Sequence, residues 1–140
     1  MKKLTNDYIE QEVASANPAK LVDLLFQRAI RDLYTAQEAW PLMPRNLDAM
    51  KSALHAQAII VELNGCLNHA EGGKLARNLS RLYEYMQYRL SEALTRRAPE
   101  DCAIVAEVHS LLSSLGEAWS EMAASNGQVS EVAFNSILVA

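Results

Sequence analysis

The chain reads as four stretches in which apolar residues return every three or four positions, separated by short breaks. The first runs over 18–39. Leu21, Val22, Leu25, Phe26, Ala29, Ile30, Leu33 and Ala36 lie on one face and lead to Trp40. That spacing predicts an amphipathic helix. Asn17 is a suitable N-cap and Pro18 suits the first helical position. Pro41 and Pro44 stop the helix, because proline lacks the N–H and its ring clashes with the preceding turn.

The second stretch, 47–68, places Met50, Ala53, Leu54, Gln57, Ile60, Val61, Asn64 and Leu67 on its expected core stripe. Ile59, Leu63 and Cys66 form a separate apolar line. Two readings fit: the helix is buried on two sides, or the extra line meets a partner. Every helix of a four-helix bundle keeps an exposed face, which favours the partner.

The third stretch, 72–97, has Leu75, Leu79, Leu82, Tyr83, Met86, Leu90, Ala93 and Leu94 on its apolar side. Arg77, Asn78, Arg81, Tyr85 and Tyr88 occupy the other face or its flank. Tyr and Arg are enriched where proteins grip other proteins, although tyrosines also lie flat on a bundle as amphipathic cover. The fourth stretch opens at Pro99 and ends near Ala124. It carries Ile104, Val105, Val108, Leu111, Leu112, Leu115, Ala118, Trp119 and Met122, with Gly116 among them. Close packing against a neighbour or neutral drift would each account for that glycine.

Short connections between four such helices predict an all-α, antiparallel up-down-up-down four-helix bundle over 18–124. A short N-terminal helix or cap, 1–17, precedes it, with Tyr8, Ile9 and Val13 as apolar members. A mobile or weakly docked tail, 125–140, follows. In this topology Cys66 and Cys102 fall at opposite ends of the bundle, which argues against a disulfide.

Composition narrows the function. Half of the 140 residues are hydrophobic but only 6% are aromatic, and the net charge is −4. Scattered basic residues give no nucleic-acid footprint. No apolar run is long enough to span a membrane, and the N-terminus lacks the apolar core of a signal peptide. A cytoplasmic location follows as the expectation. No Glu-x-x-His pair exists for a di-metal centre. Cys66 and His69 leave a zinc site two ligands short. His55 and His109 have no neighbouring acid or nucleophile in the sequence. The expectation is a protein that is not an enzyme and holds no metal or cofactor.

The motifs resemble those of the flagellin-specific export chaperone family, FliS. Tyr8 and Val13, then Ala16-Asn17-Pro18 and Leu21-Val22, are similar to that family's approach to its first helix. Leu24-Leu25-Phe26 with Ala29-Ile30-Arg31 resembles the helix core. Ala56-Gln57 with Ile59-Ile60 and Glu62-Leu63 resembles its second-helix motif. Gly72-Gly73, Leu75-Ala76, Asn78-Leu79, Leu82-Tyr83 and Tyr85-Met86 form the most specific string, and Ala118-Trp119 also fits. Gln27 and Arg28 stand where the family usually has an acidic residue and glycine, and Thr5 where an apolar residue often precedes the tyrosine.

The resemblance implies a cytosolic chaperone that binds the disordered C-terminal segment of flagellin, prevents its premature polymerisation and presents it to the cytoplasmic domain of the export gate. It implies that the segment around Tyr8, Ile9 and Val13 takes part in the gate contact. A monomer or weak homodimer is expected. An adaptor or regulatory bundle with another client is the alternative. The client groove is expected between the second and third helices. Ile59, Leu63 and Cys66 would form its apolar floor, and Asn78, Arg81, Tyr85 and Tyr88 its wall.

Overall fold

The computed structural model describes residues 18–41 and 46–125. These form four helices: α1 (Pro18–Ala39), α2 (Leu47–Gly65), α3 (His69–Arg96) and α4 (Cys102–Ser125). α1 packs on α2 and α4, and α3 closes the ring by packing on the same two. The arrangement is the antiparallel bundle that the four apolar stripes call for. The N-terminal cap, including Tyr8, Ile9 and Val13, and the tail beyond residue 125 lie outside the described residues.

Each helix end has a local cause. Asn46 caps α2, its Oδ1 accepting from the amides of Asp48 and Ala49 at 2.8 and 3.2 Å. Asn68 caps α3 by accepting from the amide of Glu71 at 3.1 Å. α3 therefore starts three residues before the Gly72–Gly73 pair, and α2 ends at Gly65 rather than near Asn68. The glycines still leave a mark. Gly73 sits at φ 55°, ψ −129° and breaks the helix after its first turn, a conformation open to glycine because it has no Cβ. Arg97 ends α3 in a left-handed turn, donating its amide to Ala93 O at 2.8 Å.

A short 3-10 turn, Pro99–Asp101, leads into α4. Asp101 is buried and ties this corner together. It accepts from Arg96 Nη2 at 2.7 Å and from the Ala98 amide at 3.0 Å. Trp40, fully buried, donates its indole N–H to Ala98 O at 2.9 Å. The C-terminal end of α1 is thereby pinned to the α3–α4 corner.

The core is built from Phe26, Leu33, Ile60, Leu63, Tyr83, Met86, Leu90, Val105, Val108 and Leu112, closed by Trp40. Gly116 has a packing role. A Cβ there would lie 3.2 Å from Ile30 Cδ1 and 3.3 Å from Phe26, so its absence lets α1 and α4 approach closely. Phe26 and Trp119 stack obliquely beside it, ring centres 6.1 Å apart.

Tyr83 is a buried phenol. Burial, and to a lesser degree nearby Cys66, push it well above its ordinary value of 10. Below pH 10 both folded and unfolded chains keep this proton. Above it the unfolded chain loses a proton that the folded chain still holds, so stability falls as pH rises. The loss approaches about 1.4 kcal/mol per pH unit from this group. Tyr83→Phe should flatten the fall, read as urea midpoints at pH 8 and pH 10.5. An equal fall in both proteins would show that the phenol ionises freely in the fold.

Candidate functional site

α2 decides where a partner can bind. Its buried positions are Ala49, Ala53, Ala56, Ile59, Ile60 and Leu63, continuing to Leu67. Residues 49, 53, 56, 60, 63 and 67 repeat in alternating steps of four and three, which is a heptad seam. Three of those positions are alanines, whose small side chains let helices approach closely.

This seam overturns part of the expected groove. Ile59 is 6% and Leu63 2% exposed, so neither can form an outward floor. Cys66 is half-buried against the core. Its burial first, and the carboxylate of Glu62 second, push the thiol up, which keeps it protonated and unreactive. Rotating the seam toward Ile59 and Leu63 turns other residues out. Leu54 is 49% and Val61 52% exposed, although both sat on the expected core stripe. Leu47, Ala58 and Gly65 are exposed on the same side. The outer face of α2 therefore carries exposed apolar residues among the exposed charges of Asp48, Lys51 and Glu62.

Asn78, Arg81, Tyr85 and Tyr88 of α3 are all exposed, but they do not form one wall. Gln57 of α2 donates from Nε2 to Gln87 O at 3.0 Å and to Ser91 Oγ at 2.8 Å. These bonds define the side of α3 that meets α2. Tyr85 turns the other way. Its hydroxyl lies 3.0 and 3.1 Å from the two carboxylate oxygens of Glu107 on α4. Arg89 Nε donates to the same carboxylate at 3.2 Å, and its Nη1 to Glu92 at 3.0 Å. The bond to Glu107 pushes the Tyr85 phenol up. By helical spacing, Asn78 shares a line with Tyr85, whereas Arg81 and Tyr88 point away from the bundle.

α3 thus divides two surfaces. On its α2 side lies the Leu54–Val61 face. On its α4 side lies a seam capped by the Tyr85–Glu107–Arg89 cluster. Counting along the antiparallel pair from that cluster brings Leu82 level with Leu111, Leu79 with Leu115, and Leu75 with Ala118. All of these are less than fully buried, and Leu75 is 51% exposed despite its expected core position. A shallow depression lined by Ala118, Glu121, Met122 and Ala124 lies on the last two turns of α4. α3 and α4 pack less closely than any other adjacent pair of helices.

His55 gains a partner that the linear sequence hides. Its Nδ1 meets Asp32 Oδ2 across α1 and α2, and Arg28 lies 3.9 Å from the same carboxylate. The pair lies at the surface, with the His55 side chain 48% exposed. Tyr34 and His109 pair between α1 and α4, ring centres 6.1 Å apart. Among the described residues no group of three or more His, Cys, Asp or Glu could hold a metal. None of the described helices is long and apolar enough to cross a membrane. What the geometry offers is apolar surface bordered by tyrosine, arginine and amide groups, chemistry suited to holding a polypeptide.

Comparison with known proteins agrees in kind. The model of the family described as flagellar protein FliS matches residues 1–126. The flagellar secretion chaperone FliSB of Pseudomonas aeruginosa is 39% identical over 121 residues, covering 85% of this chain and 91% of its own. The flagellar secretion chaperone FliS of Salmonella typhimurium is 35% identical over 116 residues, 81% of this chain and 82% of the relative. That of Escherichia coli is 32% identical over 116 residues, 81% of each. These are chaperones rather than enzymes, and the chain belongs to the FliS family of flagellar secretion chaperones.

Proposed function

We propose that this chaperone, in the cytoplasm, binds the disordered C-terminal segment of flagellin across the two surfaces beside α3. It keeps that segment from polymerising and presents it to the cytoplasmic domain of the export gate. The observation that carries this reading is the set of apolar side chains outside an already filled core: Leu54, Val61 and Leu75. Apolar positions aligned along exposed helix faces suit an amphipathic client helix laid lengthwise. Asn78 beside the α3–α4 seam and Arg81 on the outer face of α3 supply hydrogen bonds for client backbone and side chains. Ordering a disordered chain costs entropy, so one short contact is not enough and a long wrap over both surfaces is required. The segment around Tyr8, Ile9 and Val13 serves the gate contact. Co-expression with flagellin tests the reading. A one-to-one complex on a sizing column is expected, and separate elution of two folded proteins would refute it.

A further inference from the structure

Every exposed residue of α2 belongs to one of two lines. Leu47, Lys51, Leu54, Ala58, Val61 and Gly65 advance by alternating steps of four and three. They form a second heptad seam, facing away from the core. Asp48, His55 and Glu62 make a column beside it at steps of seven, and the contact of His55 with Asp32 marks that column as the α1 side. Turned end for end around position 56, the seam matches itself. Leu47 comes level with Gly65, Lys51 with Val61 and Leu54 with Ala58, so each layer sets a longer side chain against a shorter one. Lys51 is the one charge in the seam. The same turn sets it beside Glu62 of the other helix, with Asp48 of its own helix one turn away. Gly65 supplies a second observation. It closes α2 without a positive φ, and a Cβ there would meet nothing within 4 Å, unlike Gly116. Glycine weakens a helix relative to alanine, and no contact within the described residues calls for it. A leucine arriving from outside would.

We infer that this seam joins two copies of the chain, which pair antiparallel through their α2 helices around a two-fold axis level with Ala56. A two-fold interface is self-complementary, residue i meeting j while j meets i, and the matched layers meet that condition. The contact is one helix long, about 27 Å by 10 Å, well short of the roughly 800 Å² per partner of a stable complex. The dimer is therefore weak, reversible and dependent on concentration. A client laid over Leu54 and Val61 would part the copies, so the dimer belongs to the free protein. Its existence does not rest on the client reading and is tested without a client. Sedimentation equilibrium of the full chain, over a wide range of concentration, should fit a monomer–dimer equilibrium. Gly65→Leu is the sharpest variant. It adds apolar surface and strengthens the helix, so a merely sticky patch would associate more tightly. In the matched seam it forces two leucines into one layer and should weaken the dimer at least about tenfold. Lys51→Glu crowds acids together and should weaken it about fivefold. Adding Glu62→Lys to that variant should restore the wild-type equilibrium. Circular dichroism should show the same helical fold throughout. A chain that stays monomeric at every concentration would overturn the inference and leave the face to the client. So would a dimer that survives or tightens in Gly65→Leu, or a charge exchange that fails to restore Lys51→Glu, either of which would place the contact elsewhere.

Discussion

Leu63→Glu is expected to abolish folding rather than client binding. Leu63 lies on the heptad seam of α2, 2% exposed, among the residues of the central cluster. A carboxylate there has no cationic partner on the seam. Burying it unpaired costs several kcal/mol even after its pKa rises. The lost leucine packing adds about 2–5 kcal/mol. A domain of this kind is stable by about 5–15 kcal/mol in total, so the sum removes most or all of it. Thermal melts followed by circular dichroism should show lost helix or no cooperative transition. A wild-type melt would put Leu63 on the surface and restore it to the groove.

Leu75→Glu should do the reverse. Its side chain is half in water already, and helix propensity barely changes between leucine and glutamate. The bundle should melt within a few degrees of wild type. The new charge sits on the α3–α4 seam, where an apolar client face would be laid. Losing a central anchor costs about 1–2 kcal/mol or more of binding, a weakening of about tenfold. Calorimetry against the flagellin C-terminal fragment should register it. Unchanged affinity would show that the seam is not used by the client. Loss of the fold instead would mean that Leu75 belongs to the core.

The contrast between these two leucines shows where sequence reasoning was strong and where it was not. α1 was legible in both bounds because proline marks each end and large residues occupy one face. Exposure of Asn78, Arg81, Tyr85 and Tyr88 followed from the strong polar-apolar contrast of α3. α2 offered no such contrast. It is apolar on nearly every side, so its phase rested on the residue types chosen to mark the core. Weighting Leu54 and Val61 over Ala49 and Ala56 turned the helix the wrong way. The alanines are the better markers, since they form the positions where neighbouring helices come closest.

Leu75 misled for another reason. It continues the spacing of the α3 core stripe, but it lies about half a turn from the break at Gly73, beside the loosest interface of the bundle. Tyr85 with Glu107, and His55 with Asp32, were hidden because each pair spans two helices. Their meeting depends on helix rotation and register, which periodicity within one helix does not supply.

The central claim is that exposed apolar surface on both sides of α3 holds flagellin. Its most direct test is titration calorimetry of the full chain with a flagellin C-terminal fragment, repeated over a range of temperature. The account predicts saturable one-to-one binding with a negative heat-capacity change, the mark of apolar burial. It also predicts marked weakening in a folded Val61→Glu, Leu75→Glu double variant. Wild-type affinity in that folded variant, or no binding by the wild-type chain, would contradict it.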